Sequence, residues 1–272
     1  MNGEYLGAFV MRRMDDHLDK LPGKPVFSAV NGSHAYGFSS PESDIDVRAV
    51  HMLPLSKLLG IEGYSGTFIS KRATEDAPVV ELDLQSTELL TACRRIVHAD
   101  AVLLEALYSP LVTVKNRSLY TELRAVSVPF IRSKSLARHY RGYSYGVWQG
   151  MEAQNPTWKG LCHAFRTALT GLYALENSQM ELRLPVLAEK YGYPEIHHVI
   201  EQKVKNAENE LITTVDFSGY RELFTKAFNQ LVAAIATSCK EPDNADVIAV
   251  EDVSWRYNLL QNIEVSTSIR DW

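Results

Sequence analysis

The run Asp44-Ile-Asp-Val-Arg-Ala-Val-His51 alternates as a β-strand does. Side chains alternate across an extended chain, so Ile45, Val47 and Ala49 share one face while Asp44, Asp46, Arg48 and Val50 share the other. Upstream, Val26 to Val30 is apolar and β-branched enough for a short buried strand, and Asn31-Gly32-Ser33 ends it. The two strands are joined through a loop that includes Ser39 to Ser43.

This arrangement has a chemical consequence. Two carboxylates so close on one face repel and raise one another's pKa unless a cation lies between them, and a Mg²⁺ ion held by carboxylates and substrate phosphates meets that need. The Gly32-Ser33 turn supplies a second element, since glycine permits close backbone approach and Ser33 adds a hydroxyl to the backbone N–H donors available to phosphate oxygens. His34 and Tyr36, beside that turn, fit either a nucleotide contact or packing of the turn.

The string GSHAYGFSSPESDIDVRAV, from Gly32 to Val50, resembles the DNA polymerase β-type nucleotidyltransferase superfamily, and within it the bacterial and phage branch tied to RNA repair. The resemblance implies a third carboxylate on a later strand. Glu81, Asp83 and Gln85 share one face of the run from residue 78 to Ser86, and Leu82-Asp83-Leu84 precedes a helix expected to open at Ser86 to Glu88. Leu104-Glu105-Ala106-Leu107 closes the segment as the family's Leu-Glu-x-Leu element does, so Asp83 fits better than Glu81. Lys159, His163 and Arg166 are similar to a Lys, His, Arg pattern on a helix in the family's second half. By spacing they share one helical face, on which Lys159 and Arg166 suit a clamp on a triphosphate or another substrate phosphate, or surface salt bridges, and His163 either joins them or is structural. The sequence departs from the family's usual residues at Thr91-Ala-Cys93 and Ala99-Asp100, which leaves the implied catalytic set in place.

Charge is unevenly spread. The segment from Arg132 to Arg166 carries a net +5 in a chain whose total is −5, with Tyr140, Tyr143, Tyr145, Trp148 and Trp158 interleaved. Such a mixture can attract phosphates and stack on bases, or place its aromatics in a core. Arg48, Arg138 and Arg141 are the expected substrate surface. Three widely spaced cysteines, Cys93, Cys162 and Cys239, argue against a disulfide framework and for a reducing cytoplasm. The Cys162-His163 pair reads as a buried thiol, because adjacent helical residues point about 100° apart. No stretch approaches the roughly 20 apolar residues of a membrane span, and no secretory signal is apparent.

Apolar spacing predicts an amphipathic helix over residues 6–18. From Ser118 onward the chain has helical periodicity, with breaks at Pro156, Leu184-Pro185 and Tyr191 to Pro194, and one long helix is expected from Phe217 to Cys239. Residues 246–250 read as strand or helix start, with Trp255, Leu259 and Leu260 available to dock on the core. The expected fold is α+β: a small mixed-sheet catalytic domain (1–112) followed by a mainly α-helical substrate- and nucleotide-binding domain (113–272).

By resemblance, Asp44, Asp46 and Asp83 bind Mg²⁺ or Mn²⁺ and catalyse. Gly32, Ser33, Lys159, His163 and Arg166 hold the nucleoside triphosphate, and an RNA end accepts the nucleoside monophosphate. A small molecule or a protein is the other acceptor that this chemistry allows. The alternative is a module of the same fold that senses nucleotide or binds RNA without turnover.

Overall fold

A computed structural model describes residue 18 and residues 20–41, 43–60, 66–73, 81–206 and 210–268. Strand β1 (Lys24–Val30) ends at Asn31, and a short helix α1 (Gly32–Tyr36) follows. Strand β2 (Ile45–Met52), helix α2 (Leu55–Leu58), strand β3 (Thr67–Ala73) and strand β4 (Glu81–Glu88) complete most of the sheet. Helices α3 (Leu89–Val97) and α4 (Ala101–Tyr108) lead to strand β5 (Val112–Val114).

The five strands are ordered β3-β4-β2-β1-β5. All pairings are antiparallel except that of β2 with β4, which makes the sheet mixed. The expected alternation decides which face is which. Ile45, Val47 and Ala49 pack with Val30, Leu82 and Leu84 in a small core on one side. On the other, Val50 and Met52 join the main core with Leu89, Cys93 and Ile96 of α3.

Beyond the sheet the chain is helical: α5 (Arg117–Ile131), α6 (Lys134–Ala153), α7 (Trp158–Asn177), α8 (Leu184–Tyr191), α9 (Glu195–Lys205), α10 (Thr214–Gly219), α11 (Arg221–Ser238) and α12 (Asn244–Ser268). Polar side chains start several of them. Asn116, Ser133 and Thr157 accept from the backbone N–H of Leu119, Leu136 and Gly160, which satisfies donors the first turn leaves open. Gly192 closes α8 in the left-handed region and Pro194 precedes α9, so those expected breaks are present. α7 is the central helix, with thirteen of its residues buried.

Three expectations need revision, and one left open between strand and helix is settled as helix. Ser86 to Glu88 remain strand, paired with Ala49 to His51, and Glu88 caps α3 from outside. The helix expected over Phe217–Cys239 is two, α10 and α11, interrupted at Tyr220 after a helix-weakening glycine. Residues 246–250 are helical, within α12. Trp255, Leu259 and Leu260 do not dock: they are 65%, 52% and 54% exposed, and Val250 and Val253 enter the core in their place. The helix expected over 6–18 lies outside the described residues except for Leu18, which is buried. The strand start at 78–80 also lies outside them. The boundary drawn after residue 112 falls inside β5.

Candidate active site

Strand register brings the central carboxylates together. Asp46 on β2 and Asp83 on β4 are direct partners across the parallel pair, so both side chains leave the sheet on one face. Glu81 sits two residues before Asp83, where it pairs with Lys71 of β3 at 3.5 Å; Lys71 lies 3.9 Å from Asp83. Arg48 is threaded between the strands. It donates to the backbone carbonyls of Val47 and Asp83 and lies 3.4 Å from the Asp46 carboxylate. Positive charge from Arg48 and Lys71 thus partly offsets the acidic face.

Gly32 shapes the ground beside Asp46. Its φ is +67°, a region that disfavours other residues, and a Cβ placed there would lie 2.3 Å from Asp46 Oδ2. The carboxylate therefore occupies the space that a side chain at position 32 would take. The Asn31 N–H donates to the Asp46 carbonyl at 2.8 Å, tying the end of β1 to β2. Asp44 precedes β2 and is exposed; burial lowers the pKa of His34, and the charges of Asp46 and Asp44 work against that shift.

Behind α1 stands a buried ionic hub. Glu105 accepts from the hydroxyls of Tyr36 (2.6 Å) and Tyr140 (2.9 Å) and from Arg166 Nη1 (2.5 Å). The Arg166 guanidinium also lies over the Tyr36 ring, 3.9 Å from its centre. Burial is the largest single influence and works against the arginine charge, but Glu105 together with Tyr36 and Tyr140 outweighs it and raises the Arg166 pKa. Glu105 joins α1, α4, α6 and α7 in one network. Its signal in the sequence is a lone acid inside the apolar run Ala101 to Tyr108.

Lys159, His163 and Arg166 do share one face of α7, yet they meet different surroundings. Arg166 is 4% exposed and turned onto Glu105, so its charge is taken up within the protein. His163 stands edge-on to Phe38 and Tyr36, with ring centres 5.2 and 6.1 Å away. Burial, then the charges of Arg166, Lys159 and Lys203, push its pKa down to about 3, so the ring is neutral at physiological pH. The reading of Cys162 as a buried thiol holds, and burial pushes its pKa up to about 12.

The basic aromatic segment divides by helical face. On α6, Tyr140 and Trp148 are in the core, while Arg138, Arg141, Tyr143 and Tyr145 face solvent. Arg132 donates to the Ser238 carbonyl and Lys134 lies 3.7 Å from Glu241, which leaves less free positive charge than the sequence count suggests.

Among the described residues, no three His, Cys, Asp or Glu side chains stand grouped as a ready metal site. The donor chemistry nevertheless suits a hard cation. Asp46 and Asp83 offer carboxylates on side chains that are 36% and 25% exposed, in adjacent strand positions, and Mg²⁺ commonly takes one or two protein carboxylates and completes its shell from phosphate and water. No helix among the described residues is long and apolar enough to cross a membrane.

Residues 8–251 match the RNA repair pathway DNA polymerase beta family. The chain belongs to that family. Family membership makes it nucleotidyltransferase-like, of the polymerase β type. Among solved structures, a nucleotidyltransferase-like protein from Exiguobacterium sibiricum matches at 11% identity and a TM-score of 0.27, covering 84% of this chain and 74% of that one. No curated protein matches.

Proposed function

We propose that this chain is a metal-dependent nucleotidyltransferase that moves a nucleoside monophosphate from a nucleoside triphosphate to a hydroxyl, with an RNA end as acceptor and pyrophosphate as the leaving group. The observation that carries the reading is the register of Asp46 against Asp83 beside a Gly32 with no side chain, a grouping of oxygen donors next to open backbone. Asp44, Asp46 and Asp83 would hold Mg²⁺. Asp83 is preferred to Glu81 because it is the one in register with Asp46. With Mg²⁺ bound, triphosphate charge is neutralised and the acceptor hydroxyl ionises more readily.

The chain's own contributions are positional. Gly32 and Ser33 bring backbone N–H groups and a hydroxyl to the phosphates, and Lys159 adds charge from the start of α7. Arg166 and His163 support the site from behind: Arg166 holds Tyr36 through Glu105, and His163 packs on Tyr36 and Phe38. Holding the triphosphate and the acceptor in line converts an encounter into a positioned reaction. Arg138, Arg141 and Tyr143, exposed together on α6, favour a phosphate-bearing polymer as acceptor. The helical part then serves substrate binding and the sheet-bearing part catalysis.

The test is transfer from α-labelled nucleoside triphosphates, with and without RNA, across a Mg²⁺ series. Asp44→Ala and Asp46→Ala should each abolish transfer while the far-ultraviolet circular dichroism stays native. Near wild-type turnover in either variant would overturn the assignment, and nucleotide or RNA binding without turnover in the wild type would favour a sensing module.

A further inference from the structure

Lys203 is only 1% exposed, which is unusual for lysine. It lies on the inner face of α9 with Ile196 and Val199, and its ammonium reaches across to the loop between α1 and β2. There it donates to Ser43 Oγ at 3.2 Å and Ser40 Oγ at 3.3 Å. Those two serines form a closed turn. The Ser43 N–H donates to the Ser40 carbonyl, the Ser40 N–H donates to Ser43 Oγ at 2.9 Å, and the two hydroxyls lie 3.1 Å apart.

The turn is also held from the phosphate-loop side. His34 Nε2 lies 3.1 Å from the Ser43 carbonyl. Both serines are buried, at 8% and 2% exposure, and Asp44 follows at once. Ser43 is therefore gripped through its hydroxyl by the helical part and through its carbonyl by α1, one residue before Asp44, which leads into β2. A lysine left in water would keep its rotamer freedom; ordering and burying it is costly unless its donors are well met.

We propose that Lys203 is a positioning residue of the transfer site, fixing the Ser40 to Ser43 turn and through it the placement of Asp44 and His34. This rests on the transferase reading above. It assigns α9, more than 150 residues from the turn in sequence, a part in setting a carboxylate that stands just before β2.

Two readouts test it in the full chain. Amide hydrogen exchange at Ser43 to Val47 should rise at least tenfold in Lys203→Met, with the α7 core unchanged. Transfer should lose at least tenfold in kcat, with KM for the triphosphate moving less than threefold, because the lysine acts on geometry and not on substrate binding. Ser43→Ala should reproduce both effects in milder form, and Lys203→Met/Ser43→Ala should be no worse in kcat than the worse single variant. Ser43→Ala carries the same test if Lys203→Met does not fold.

Unchanged exchange at Ser43 to Val47, or a loss confined to KM, would overturn the proposal; the latter would make Lys203 a phosphate ligand. Wild-type protein without transfer, but with exchange responding as expected in Lys203→Met, would overturn the transferase reading and leave the loop anchor standing.

Discussion

Replacing Glu105 tests the ionic hub directly. Glu105→Ala would leave the Arg166 guanidinium, 5% exposed, with no counter-charge, and the Tyr36 and Tyr140 hydroxyls without their acceptor. Breaking a buried pair from one side costs about 3–5 kcal/mol, and an unmet buried hydroxyl adds about 1 kcal/mol or more unless it finds water. We expect a loss of about 4 kcal/mol, which for a chain of this size lowers Tm by roughly 8–16 °C.

Arg166→Met should cost about as much, since it strands the carboxylate instead. Removing both charges in Glu105→Leu/Arg166→Met should recover most of the loss, because neither partner is then left buried alone. Urea unfolding followed by fluorescence and circular dichroism together, with m-values compared, provides the measurement. A loss under about 1 kcal/mol in Glu105→Ala would refute the reasoning. So would an Arg166→Met variant of normal stability whose triphosphate affinity had fallen tenfold; that result would restore Arg166 to the phosphate clamp.

Other outcomes follow from the same geometry. Asp83→Asn should reduce transfer far more than Glu81→Gln, and the reverse ranking in a turnover assay would move the third ligand to Glu81. Arg138→Ala/Arg141→Ala should weaken RNA binding and flatten its dependence on salt while triphosphate affinity holds, because fewer counterions are released; unchanged RNA affinity across a salt titration would make that face of α6 structural. Burial lowers the pKa of His163 to about 3 and of His51 to about 4, so the unfolded chain, with histidines near 6.5, binds more protons between those values. Stability should therefore fall as pH drops from about 6.5 toward 4, by up to about 1.4 kcal/mol per pH unit for each ring. His163→Phe should lessen that slope by one proton, measured as urea stability at pH 7 and pH 5, and an unaltered slope would contradict the burial.

The legible parts of this chain were those governed by local period. Alternation from Asp44 to His51 announced β2 and the face it would bury, and a similar alternation placed Asp83. β3 and β5 went unsingled because their pairing partners, not their own patterns, make them strands. The hub was not legible for a related reason: Arg166 finds Glu105 sixty-one residues away, and nothing in the spacing of α7 says that its face turns inward at Arg166. Two signals were present but unused. Leu136, Tyr140, Ser144 and Trp148 recur every four residues, which separates buried Tyr140 from exposed Tyr143. Lys203 follows Ile196 and Val199 at the spacing of a core-facing stripe.

The reach of Lys203 back to Ser43 also sets an order of assembly. The ribosome has made every strand that carries a site carboxylate once Glu88 is joined, but Lys203 comes more than a hundred residues later. At about 5–20 residues per second, that interval is roughly 6–23 s. During it the nascent chain holds its acidic face without the helix that grips the turn before Asp44. On the transferase reading, a half-made chain lacks the lysine that anchors this turn, and the anchor is in place only once α9 has docked.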